Sequence, residues 1–195
     1  MKISEIRKKI LEWQDIHSSY LNEVKTLIVE NNVAKELNVI SYFTYSLNIY
    51  HHPGRENFCL GSFHIQNLGE LPLTNPYICI KIASDSPFNF SGKYVYKDSK
   101  QKMRLTNAWE RINDPTDKQE FWLKPTEKLN LEPFETITFP NFQVKWDPDS
   151  SYTGTINGFI YGDELEEGMN SFNQISINGT INEKMGDEEK YDDEL

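Results

Sequence analysis

The chain has 195 residues, 30 acidic against 20 basic, for a formal net charge of -10 at pH 7. That balance argues against a nucleic-acid partner, because phosphate binding needs a basic stripe and none stands out beyond Arg7-Lys8-Lys9. No apolar run approaches the length of a transmembrane helix, and the start MKISEIRKKILEWQ lacks the apolar centre of a signal peptide, so no membrane association and a cytoplasmic location are expected.

From Ile3 onward, apolar or semi-apolar residues fall at 3, 6, 10, 13, 17, 20, 24 and 27. This alternation of threes and fours fits a helical seam with a period of about 3.5. Ile3, Ile10, His17, Val24 and Asn31 take the a positions, and Ile6, Trp13, Tyr20, Leu27 and Ala34 the d positions. Ile16, Leu21 and Ile28 widen the stripe beyond a two-stranded seam. Residues 1–37 are therefore expected to form a long amphipathic helix, a coiled coil joining three or more copies. The competing reading docks the same helix on a sheet of its own domain.

Near Leu37 the period changes to two: Phe43, Tyr45, Leu47 and Ile49 alternate with Thr44, Ser46, Asn48 and Tyr50. His51-His52-Pro53-Gly54-Arg55 supplies turn residues. Cys59, Phe63 and Ile65, and then Ile78, Ile80 and Ile82, mark two strands around a loop, each with one apolar and one wet face. Cys59 falls on the apolar phase while Cys79 shares a phase with Tyr77 and Lys81, so two free thiols are expected. Residues 83–120 read as the longest loop region, interrupted by one short apolar run.

Phe121-Trp122-Leu123 is a short strand ended by Lys124-Pro125. Ile137 and Phe139 then occupy odd positions, whereas Phe142, Val144 and Trp146 occupy even ones, with Pro140-Asn141 between them. A slip of one residue is what a β-bulge produces. Tyr152 to Tyr161 is strand-like, with Gly154 and Gly158 on the phase of Ile156 and Ile160; residues 162–171 read as a loop; Ile175, Ile177 and Ile181 mark the last strand. Glu183 to Leu195 carries seven acids against two lysines and no periodicity, which predicts a disordered acidic tail.

Short strands separated by turn signals predict an antiparallel β-sandwich over residues 38–182, mainly β with an N-terminal helix. The run Leu131-Glu132-Pro133-Phe134-Glu135-Thr136-Ile137-Thr138-Phe139 resembles the Leu-x-Pro-Gly-Glu strand opening of bacterial immunoglobulin-like domains, with Phe134 where that pattern has Gly. The resemblance implies an immunoglobulin-like fold and no particular function.

Little in the chain suggests catalysis. His17, His51, His52 and His64 match no zinc spacing, and neither thiol has a placeable base. Asp147, Asp149, Asp163, Glu164, Glu166 and Glu167 form acidic loops without the spacing of a calcium loop, and solvated turns account for them. The triplets Asn89-Phe90-Ser91 and Asn178-Gly179-Thr180 match the glycosylation pattern, which has no mechanism without export. No metal, no cofactor and no enzyme activity are expected.

Trp109, Trp122, Trp146 and Tyr152 lie near loops or strand ends and could form a binding surface, although filling the core is the better account of large aromatics. The function these observations favour is a non-enzymatic assembly protein, a homo-oligomer through Ile3, Ile6, Ile10, Trp13, His17, Tyr20, Val24 and Leu27 that presents a β-sandwich to a protein partner. The alternative is a carbohydrate-binding module using the surface aromatics.

Overall fold

The computed structural model describes residues 9–10, 13–14, 16–23, 36–50, 55–96, 108–147 and 150–180. The chain divides into two units, Met1–Glu36 and Leu37–Leu195. In the first unit, residues 9–10, 13–14 and 16–23 are helical. The longest described run, 16–23, makes about two turns. The described residues thus show a short helix and not the five-heptad coiled coil expected; Ile3, Ile6, Val24 and Leu27 lie outside them. The acidic tail and His51-His52 do so as well.

The second unit is mainly β. Its described strands are β1 (Val39–Asn48), β2 (Asn57–Asn67), β3 (Leu73–Thr74), β4 (Tyr77–Ile82), β5 (Asn89–Ser91), β6 (Tyr94–Tyr96), β7 (Trp109–Arg111), β8 (Glu120–Pro125), β9 (Asn130–Leu131), β10 (Thr136–Trp146), β11 (Tyr152–Gly162), β12 (Leu165–Asn170) and β13 (Ile175–Gly179). One sheet has the order β1-β2-β10-β5. A larger one runs β12-β11-β4-β8-β7-β6, with β13 also paired to β11, and β3-β9 is a short third pair. Every pairing is antiparallel except β6 with β7.

The period-two pattern sets the faces. Cys59, Phe63 and Ile65 of β2 are fully buried, as are Ile78 and Ile80 of β4, and residues of both large sheets share one apolar core. Full burial of a Phe or Ile side chain contributes about 1.5–3 kcal/mol. Phe90 of β5 meets Phe121 of β8 with ring centroids 4.4 Å apart, and Trp109 of β7 meets Phe139 of β10 at 5.6 Å. These contacts join the two sheets across the core. Gly158 of β11 sits where the rings of Phe43 and Phe63 press on the opposite backbone; a Cβ there would collide with Phe63 and lie 2.9 Å from Phe43. Only glycine fits that approach.

Three stretches depart from the sequence expectation. Residues 83–120 contain β5, β6 and β7, each three residues long and too short to display a period. Residues 162–171 contain β12, which forms a hairpin with β11 around Asp163-Glu164. Leu165 and Met169 pack half-buried against the core, but the exposed Glu167 shares their phase and hides the alternation. Cys79, expected on the wet face, is buried beneath an aromatic cover.

Candidate functional site

Of the helix residues singled out by their spacing, Ile10, Trp13, His17 and Tyr20 are described, and all four are exposed; so are Ile16 and Leu21. Trp13 leaves 78% of its surface in water. At about 100° per residue these side chains fall on one side of the helix.

The four aromatics proposed as a binding surface do not come together. Trp109 and Trp146 are core residues. The Trp109 indole N–H donates to the Thr138 carbonyl at 2.9 Å, and Trp146 packs against Phe88 at 5.3 Å. Tyr152 is half-buried against the edge of Trp146. Trp122 alone reaches an outer sheet face, half-buried. Burial of the two core indoles removes them from any stacking platform, because their ring faces are covered by protein.

A different cluster surrounds Trp122. Alternation on β4, β8 and β11 turns Tyr77, Trp122 and Tyr161 outward, and the registers Tyr161↔Tyr77 and Cys79↔Trp122 bring them together. Tyr77 stacks on Tyr161 at 5.1 Å with 9° between ring planes, and Trp122 lies 5.1 Å from Tyr161 and 6.1 Å from Tyr77. Cys79 lies between Trp122 and Phe159 in register, and burial pushes its thiol up to about 12. Burial likewise pushes the Cys59 thiol up to about 11. Neither is a thiolate nucleophile near neutral pH.

The cluster has a charged rim. Lys81 pairs with Glu120 at 2.8 Å, and the Trp122 indole N–H donates to the other Glu120 oxygen at 2.9 Å. The hydrogen bond to Glu120 raises the Lys81 pKa, and the hydrogen bond from Lys81 chiefly lowers that of Glu120. Lys124 and Glu110 form a second pair at 3.5 Å. Aromatic rings inside a polar rim suit recognition of a protein surface. The sequence pointed to Trp122 but not to the neighbours gathered around it, because the register that joins them pairs strands distant in the chain.

Other polar groups serve the fold. Arg111 is buried, with its guanidinium donating to the Asn113 side-chain oxygen and to the carbonyls of Asp114, Asp117 and Glu120 while lying 4.4 Å above the Phe121 ring. Asp163 and Glu164, considered as calcium ligands, instead accept from the Asn75 side chain and the Thr74 N–H. His64 bridges the hydroxyls of Thr44 and Thr138 at 2.8 and 3.0 Å and stacks on Tyr42. Among the described residues no helix is long and apolar enough to cross a membrane.

No protein-family model matches the chain, and no curated protein does. Among solved structures it is similar to AvmM, described as catalysing macrocyclization in alchivemycin A biosynthesis. The identity is 10% and the TM-score 0.35, over 75% of this chain and 89% of that one. A superposition that loose carries no argument about chemistry.

Proposed function

We propose that the protein is a non-enzymatic assembly component. Its N-terminal helix joins copies of the chain into a homo-oligomer, and the β unit, an immunoglobulin-like β-sandwich, is presented to a protein partner through the Tyr77–Trp122–Tyr161 face. The observation that carries this reading is the exposed stripe of Ile10, Trp13, Ile16, Tyr20 and Leu21 on one helix. A contiguous apolar stripe in water is removed by association. Linking several β units then raises their effective concentration at a multivalent partner without any new contact. The shared core of two sheets, antiparallel except for β6 and β7, supports the sandwich assignment.

Sedimentation of the full chain beside the double variant Ile10→Asp, Trp13→Asp tests the association step. The wild-type chain should sediment as an oligomer and the variant as a folded monomer. Equal sedimentation of both would remove the helix as the associating element.

A further inference from the structure

Strands β12 and β13 both pair with β11, at different ends of it. Beside the gap between them lies a groove of about 580 Å³, lined in part by Asn157, Phe159, Asn170, Phe172, Asn173 and Gln174. Among the described residues no charged side chain lines it. The carboxamides of Asn157, Asn170 and Gln174 make no hydrogen bond among the described residues.

Asn173 has a different task. It accepts from the Phe43 N–H at 2.7 Å and donates to the Phe43 carbonyl at 3.0 Å, occupying the place of a neighbouring strand at the edge of β1. Ser171 N–H donates to the Gly158 carbonyl at 2.8 Å, and Phe172 N–H to the Ser41 carbonyl at 2.6 Å. Loop 171–174 is thus anchored to both β11 and β1, yet the Phe172 ring is 90% exposed. An aromatic ring held in water by a fixed loop, next to three carboxamides that have no partner among the described residues, is preorganised for a ligand.

We propose that this groove binds a neutral saccharide. A carboxamide carries a donor and an acceptor side by side and can engage two neighbouring hydroxyls of one sugar ring. The apolar C–H face of a pyranose packs on an aromatic ring such as Phe172. The uncharged lining favours an uncharged ligand, and the volume lies in the range of small-molecule sites. A peptide added as an extra strand fits less well, because Ser171 already occupies the Gly158 carbonyl and Asn173 already occupies Phe43.

The test is calorimetric titration of the full chain with short neutral oligosaccharides of glucose, xylose, mannose and N-acetylglucosamine, with an oligogalacturonate as the acidic comparison. At least one neutral oligosaccharide should bind. Phe172→Ala and Asn170→Ala should each weaken that binding about tenfold with an unchanged melting temperature, since both side chains lie at the surface. Phe134→Ala, which removes an exposed ring on a separate turn, should leave binding intact. The proposal is overturned if no neutral oligosaccharide binds at millimolar concentration, if only the acidic one binds, or if binding survives both groove substitutions unchanged.

Discussion

Phe139 and Phe142 stand three positions apart on β10, yet both are fully buried and their rings stack at 6.3 Å with 10° between planes. The register against β2 passes from Phe139↔Phe63 to Phe142↔Gly61, so three steps on one strand oppose two on the other. Asn141, in the left-handed region at φ 55°, takes up the extra residue and donates its N–H to the Ser62 hydroxyl at 3.2 Å. Gly61 leaves room for the Phe142 ring that lies against it.

Inserting one more residue after Asn141 should therefore cost more than about 4 kcal/mol, because the further one-residue shift turns Phe142, Val144 and Trp146 to the wet side, whereas deleting Asn141 leaves Phe139 and Phe142 two apart and in phase. Asn141→Gly should be nearly neutral, since glycine accepts the same backbone geometry. Urea unfolding of both variants checks this. An insertion variant of normal stability would show that the bulge does not set the register.

Phe134 occupies a left-handed position as well, at φ 62°, in the turn closed by the Glu135 N–H on the Glu132 carbonyl. This is the slot where the immunoglobulin-like strand opening has Gly. The ring is 73% exposed and gains little from packing. Phe134→Gly should raise stability by about 1 kcal/mol by relieving that conformation, and a higher thermal midpoint would register the gain.

The long strands were legible in the sequence because one face of each is buried, so Phe63, Ile80 and Ile156 recur with their neighbours at period two. The Pro140-Asn141 slip was legible for the same reason, as a phase change in that period. The three-residue strands β5, β6 and β7 left no such trace. Neither did Arg111, whose charge suggests a surface residue although several hydrogen-bond acceptors hold it inside. The Tyr77–Trp122–Tyr161 cluster was hidden because β4, β8 and β11 are neighbours in the sheet but far apart in the chain.

Arg111→Met keeps much of the packing over Phe121 but removes the donors to the carbonyls of loop 112–119. The loss should be about 1–3 kcal/mol, the worth of hydrogen bonds from a charged donor to part-buried acceptors. Amide exchange across residues 112–119 should accelerate more than across β4. Uniform exchange in the variant would mean that the guanidinium does not order the loop.

Stability should fall on acidification in two separate ranges. Burial lowers the His64 pKa from its ordinary 6.5, so the folded state prefers the neutral ring; that contribution is present above pH 6.5 and is lost as pH falls through the folded value. The Asp117 carboxylate accepts from the backbone N–H groups of Glu120 and Gln119, which hold its pKa below 3.8. Its contribution is present above 3.8 and disappears at lower pH. His64→Gln should change the upper range alone, and Asp117→Asn should reduce the loss in the lower range, which Glu120 and Asp114 share, as read from thermal midpoints across the pH series.

The central claim is that residues 1–37 assemble copies of a β unit that folds without them. Light scattering of the full chain and of a chain beginning at Asn38 tests it most directly. The account predicts an oligomer for the first and a folded monomer for the second; a monomeric full chain, or a shortened chain that aggregates, would contradict it.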